Sequence, residues 1–228
     1  MTDINEIINQ IKSAGSKASI DGMSRYGINT ENAMGVSLPT LRKIAKKIKN
    51  DHNLALQLWD SKIHEARILA GIIDNPKEVT EQQLEKWVKD FDSWDLCDQC
   101  CSNLFVNTSF AYSKALEWVD RNEEYVKRSG FVMMACLAQK SKNTSDKEFE
   151  PFLKLIVREA EDERHMVKKA VNWALRQIGK RNLELNEKAV RIAETLLKSE
   201  NKSTQWIAKD AYKELTSNAV IRKVKDLF

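Results

Sequence analysis

Apolar residues recur along this chain at intervals of three and four, in stretches of 10 to 18 residues parted by short polar breaks. That spacing is the period of a helix with one buried face. No segment alternates apolar and polar positions long enough to be read as a strand. The pattern predicts helices in pairs: 53–60 with 63–74, 81–90 with 94–106, 109–120 with 123–139, 149–159 with 164–180, and 185–198 with 204–215. Local punctuation agrees. Pro39 falls inside a helix start after Ser37, Thr80 and Gln83 have capping-box spacing, Asn75-Pro76 ends a helix, and Pro151 interrupts a polar junction.

Aligning the starts of the second helices puts Arg67, Asp98, Arg128, Lys169 and Lys209 in one column, separated by 31, 30, 41 and 40 residues. A helix pair of that length is the size of an armadillo or HEAT repeat, whose stacked second helices line a concave surface. The expected fold is all-α, a HEAT-like α-solenoid of stacked antiparallel helix pairs. It is expected as one domain over 1–228, with N-terminal helices in 1–36 and repeats over 37–228. A generic helical bundle is the alternative.

Composition sharpens this reading. Only 7 Gly and 3 Pro in 228 residues exclude Gly- or Pro-rich disorder and argue against a many-stranded sandwich or barrel. The net charge of +4 is unevenly placed: residues 1–150 carry 20 Lys/Arg and 22 Asp/Glu, whereas 151–228 carry 17 and 11. The C-terminal third could therefore meet a polyanion. Arg42, Lys43, Lys46, Lys47 and Lys49 form a local basic block in the acidic part. No apolar run approaches a membrane span, and the first 15 residues lack a signal-peptide layout, so a cytoplasmic protein with free thiols is expected. Cys97, Cys100 and Cys101 continue with Leu104 as the apolar stripe of one helix, and the three His show no ligand spacing, so a packed core stripe rather than a metal site is expected.

Candidate chemistry lies on three helices. Trp94 and Asp98 sit one turn apart on the shoulder of the cysteine stripe, an aromatic face beside a carboxylate that could hold a cationic or sugar-like group. Asp98 is the one acid in an otherwise basic column. Trp173 is displaced about 120° from its helix's apolar stripe and is bracketed by Lys169, Arg176 and Lys180, a phosphate-facing arrangement whose alternative is packing against the next repeat. Arg128 continues an apolar stripe, so an acid or phosphate should meet it, with Asp98 the natural candidate. Trp59, Trp87, Trp118 and Trp206 read as packing. No phosphate-binding Gly loop and no nucleophile with a His partner is present.

Several short motifs occur together in order: Gly35-Val36-Ser37-Leu38-Pro39-x-Leu41-Arg42, His64-Glu65-Ala66-Arg67, Trp94-Asp95-Leu96-Cys97-Asp98, Lys127-Arg128 and Asn172-Trp173-Ala174-Leu175-Arg176. This set resembles the AlkD-type DNA glycosylases of the DNA alkylation repair family. The resemblance implies a HEAT-like solenoid around duplex DNA, and excision of positively charged alkylpurines such as N3-methyladenine and N7-methylguanine without a cofactor. It implies Asp98 as the catalytic carboxylate, Trp94 and Trp173 as aromatic walls, and Arg128 as the adjacent cation. Arg42, Arg67, Lys169, Arg176 and Lys180 are the expected DNA contacts. The partner would be duplex DNA carrying alkylated bases, bound by a monomer that is nucleoid-associated when engaged and touches no membrane. A DNA-structure-binding relative without excision and a helical protein-interaction scaffold remain the competing readings.

Overall fold

The computed structural model describes residues 3–140 and 144–226; the ends of the expected domain range, 1–2 and 227–228, lie outside it. Among the described residues every regular element is helical, and no helix is long and apolar enough to cross a membrane. The chain divides into two compact units, 1–110 and 111–228.

The first unit contains α1 (Ile4–Ser13), α2 (Lys17–Arg25), α3 (Leu38–Ile48), α4 (His52–Asp60), α5 (His64–Ile73), α6 (Glu81–Lys89) and α7 (Trp94–Asn103). Helix α5 is its hub, packing against α1, α3, α4 and α7. After its first turn α5 is almost entirely apolar, as a helix enclosed on most sides must be. The approach of α7 depends on Gly71: a Cβ there would come within 2.9 Å of Cys100 Sγ and 3.3 Å of Cys100 Cα. Trp59 and Trp87, both fully buried, stack with ring centroids 4.0 Å apart and planes 3° from parallel, and so join α4 to α6.

Caps explain the helix starts. Ser37 Oγ accepts from Thr40 N ahead of α3, with Pro39 in the first turn, and Asp51 Oδ1 accepts from Leu54 N at 3.0 Å ahead of α4. The expected capping box at α6 is half made. Thr80 Oγ1 accepts from Gln83 N at 3.1 Å, but the Gln83 side chain turns inward and donates to Asp74 Oδ2 at 2.6 Å.

The second unit contains α8 (Ala111–Glu117), α9 (Glu124–Lys140), α10 (Glu150–Arg158), α11 (His165–Gly179), α12 (Leu183–Leu196), α13 (Lys202–Leu215) and α14 (Asn218–Lys225). Helix α9 pairs with α8, and α12 with α13. The second helices stack directly, α9 on α11 and α11 on α13, as expected of HEAT-like pairs. Helix α9 is the most enclosed, with eight consecutive residues from Phe131 to Ala138 buried. Three expectations change. Pro151 lies in the first turn of α10, where its missing N–H removes no helical bond. The segment predicted to end at 120 passes into a 3-10 turn from Trp118 to Asp120. Helix α14, not anticipated, is capped by Ser217 and packs on α12 and α13.

Candidate nucleic-acid interface

Trp94 and Asp98 both lie on α7 and are both partly exposed, while Leu96, Cys97, Cys100 and Cys101 point into the core. The cysteines are therefore core residues, as their spacing suggested. Trp94 is held by its indole N–H, which donates to the Tyr26 carbonyl at 3.0 Å; the Tyr26 side chain is 73% exposed. Between α2, α3, α5 and α7 runs a mostly apolar cleft of about 600 Å³, with Met23, Tyr26, Leu41, Ile68, Trp94 and Asp95 among its lining residues.

The acids around Asp98 have defined partners. Asp90 Oδ2 accepts from the Trp59 indole at 2.8 Å and from Arg67, Asp92 Oδ2 accepts from Asn29 at 2.8 Å, and Asp95 Oδ2 faces His64 Nε2 at 2.8 Å. Burial pushes the His64 imidazole down, but the hydrogen bond and charge of Asp95, with the charges of Glu65 and Asp92, outweigh it and leave its pKa above the usual value. Burial likewise pushes the Asp95 carboxyl up, and the bond to His64 reverses this, leaving it below the usual carboxylate range. Each partner thus favours the charged form of the other. With Asp90 and Asp95 each met by a basic side chain, the acid run repels phosphate less than its sequence suggests.

Glu65, the next residue of the same turn, is buried and accepts from three successive backbone amides: Met34 N at 2.8 Å, Gly35 N at 2.7 Å and Val36 N at 3.1 Å. Gly35 adopts φ +76°, and a Cβ there would meet the Ser16 carbonyl at 2.2 Å. The carboxylate and the glycine together fix the turn that enters α3. Arg42, in that helix, is exposed, as are Lys43, Lys46, Lys47 and Lys49.

Arg67 departs from expectation. Its guanidinium lies 5.2 Å from the centroid of the Trp59 ring and donates to the Trp59 and Asp90 carbonyls and to Asp90 Oδ2. The side chain is largely buried and clamps α4 to the turn before α7, because two carbonyls and a carboxylate converge there.

In the second unit Arg128 is 5% exposed on α9, and its Nη1 donates to the Met166 carbonyl at 2.6 Å; Asp98, the acid expected to meet it, belongs to the first unit. Lys127 pairs with Glu159 at 2.6 Å. Trp173 is half-buried on α11, off the apolar stripe as predicted. With the Gln177 amide turned to satisfy its neighbours, the Gln177 carbonyl accepts from the Trp173 indole and from Lys180, each at 3.0 Å. Lys169 is exposed. Arg176 and Lys180 are not open cations: both reach Glu214 of α13, Lys180 at 2.6 Å, and Arg176 also approaches Asp210 at 3.5 Å. Burial pushes the Glu214 carboxyl up, and these two cations more than reverse it. Trp59, Trp87 and Trp118 are buried packing residues as expected, whereas Trp206 is 40% exposed and carries Lys168 Nζ 5.4 Å from its ring centroid. Its packing reading is corrected: neighbouring Ile207 takes the core direction and leaves the indole on the outer face.

The family model described as DNA alkylation repair enzyme matches residues 7–215. The chain belongs to that family. Among solved structures, it is similar to a protein described as one of a new family related to the HEAT-like repeat DNA glycosylases, with affinity for branched DNA structures. Identity is 23%, coverage 93% of this chain and 95% of that one, and the TM-score 0.79. That likeness fixes the fold as all-α and HEAT-like. A designed armadillo repeat protein aligns at 17% identity over 78% of this chain and 92% of its own, with a TM-score of 0.36. No curated protein matches the sequence significantly.

Within this DNA alkylation repair chain the recognisable motifs divide into two kinds. His64, Glu65 and Arg67 hold helices and turns together, whereas Trp94 and Asp98 present side chains at the surface. The role of Glu65 went unread in the sequence, although a signal exists: Glu65 precedes the buried Leu69 by one turn and so lies on the core stripe, where a carboxylate must find donors. Trp206 could have been placed by the same wheel, one residue off the stripe of Ile207, Ala211 and Leu215.

Proposed function

We propose that this chain is a DNA glycosylase releasing positively charged alkylpurines, N3-methyladenine and N7-methylguanine, from duplex DNA. The observation that supports this best is the pairing of Trp94 and Asp98, partly exposed one turn apart on α7, in a chain whose family is that of DNA alkylation repair enzymes. An N-alkylated purine is already a good leaving group, so no strong general acid is required. The barrier lies in positive charge developing on the deoxyribose. A carboxylate about 4 Å from it contributes on the order of 4 kcal/mol at an effective dielectric near 20, nearly three decades of rate.

In this reading Asp98 stabilises the developing oxocarbenium ion and orients the attacking water, while Trp94 offers a π face to the cationic base. Trp173 and Arg128 of the second unit take the second wall and the lesion-strand cation that the resemblance assigns them. Arg42 and Lys169, both exposed, are the phosphate contacts; Arg67, Arg176 and Lys180 serve intramolecular pairs first. The protein acts as a cytoplasmic monomer on nucleoid DNA and needs no metal or organic cofactor.

The test is release of 7-methylguanine from methylated duplex DNA by the intact protein and by Asp98→Asn. Release that the substitution abolishes supports the proposal; no release by the intact protein refutes it. One residue favours a second reading, binding of DNA structures without excision. Position 93 is a buried Ser at the start of α7, so Trp94 has no aromatic neighbour immediately before it. Tight, steeply salt-dependent binding without base release would select that reading.

A further inference from the structure

The surroundings of Trp173 are repeated one helix further on. Trp173 has cations at i−4, i+3 and i+7: Lys169, Arg176 and Lys180. Trp206, on the adjacent α13, has cations at the same three offsets: Lys202, Lys209 and Lys213. At 100° per residue these positions share one helix face. The two stripes differ in what holds them. On α11, Arg176 and Lys180 are paired with Glu214. On α13, Lys202, Lys209 and Lys213 are all exposed and make no ion pair among the described residues. The two acids next to this stripe in sequence, Asp210 and Glu214, are both turned toward Arg176. Lys168 lies over the Trp206 ring, and His165, exposed in the same turn of α11, is depressed by burial and by the charges of Lys169 and Lys168, a sign of positive potential here.

We infer that this face of α13 binds nucleic acid carrying an unpaired nucleotide, with the base stacked on Trp206 and flanking phosphates on Lys202, Lys209 and Lys213. This rests on the DNA-binding reading above and names the form of DNA that the second unit prefers. The chemistry selects the ligand. An exposed indole with a cation on one face can stack on a base only if that base has left its own stack, and every base offers a π face. Bases of an intact duplex stay stacked, with their faces covered by their neighbours. The outer two lysines lie 11 positions apart, about 16 Å at 1.5 Å per residue, enough to follow two or three phosphates of one strand.

The experiment compares an intact duplex with the same duplex carrying a short single-stranded gap, by fluorescence anisotropy at fixed salt, for the wild type, Trp206→Ala, Trp206→Phe and the triple variant Lys202→Gln/Lys209→Gln/Lys213→Gln. The gapped DNA is expected to bind the wild type about tenfold more tightly than the intact duplex. Trp206→Ala should erase that preference and leave intact-duplex binding unchanged, and Trp206→Phe should restore most of it. The triple variant should weaken gapped-DNA binding and reduce its salt slope by about 2–3. Equal loss on both DNAs, or no loss on either, with Trp206→Ala overturns the stacking site while leaving DNA binding intact. Wild-type protein that binds neither DNA overturns both. Trp206 is partly exposed, so the alanine variant should fold, and an unchanged melting temperature checks this.

Discussion

The two units use charged side chains differently. In 1–110, with 13 Lys/Arg against 15 Asp/Glu, buried charge holds architecture: His64 with Asp95, Glu65 with three backbone amides, and Arg67 with Asp90. In 111–228, with 24 against 18, the central helix α9 is packed almost wholly by apolar groups, and much of the charge stays on the surface beside two tryptophans. A buried ion pair contributes little net stability against a hydrophobic replacement, but losing one member strands the other. The first unit should therefore be fragile to single charge removals. The second, apart from its buried Arg128 and Lys114, should tolerate them and lose affinity instead.

The largest expected effect separates chemistry from architecture. Asp98→Asn should lower base release by about a thousandfold while leaving the melting temperature within a few degrees. An equal loss of stability would make Asp98 another structural acid and erase the contrast. Next comes His64→Ala, which leaves Asp95 without its partner and should cost about 3–5 kcal/mol in a urea titration.

The pH dependence has a defined sign. The fold raises the His64 pKa above 6.5, so its contribution is complete below that value and fades as pH climbs through the folded-state pKa. The fold lowers the Asp95 pKa below 3.8, so its contribution is complete above that value and is lost on further acidification. The pair stabilises fully between these limits, and the His64→Ala variant should lose the alkaline fall. Glu65→Gln, which weakens three charge-assisted bonds to the turn before α3, should cost about 3 kcal/mol. The smallest stability effect is expected in the second unit. Glu214→Gln should change stability by less than about 1 kcal/mol, but it frees Arg176 and Lys180 and should tighten duplex binding several-fold with a steeper salt slope. Unchanged affinity would show that the two cations do not face DNA.

The helices were legible because periodicity is local. The segments predicted at 81–90, 164–180 and 204–215 fall within two residues of α6, α11 and α13, and the cysteine stripe and three of four packing tryptophans follow from the same wheel. Partners across the chain were not legible. A wheel places Arg67 and Arg176 on polar shoulders but cannot show that Asp90, 23 residues away, or Glu214, 38 away, lies opposite. The DNA contacts expected at those positions therefore carry intramolecular partners that the sequence did not show. Trp206 was under-read, although the same wheel sets it one residue off the core stripe of Ile207, Ala211 and Leu215.

The cysteines described as core filling have a consequence for a chain of this family. Methylating agents that damage DNA attack thiolates more readily still. All four thiols here are buried, and burial, with the nearby Cys97 thiol, pushes Cys100 well above the ordinary thiol range, so the reactive anion is scarce and shielded. Gly71, by letting α5 close onto Cys100, seals part of that shield. The fold thus keeps its thiols away from electrophiles, and intact mass after methyl-donor treatment should show no thiol adduct while the fold persists.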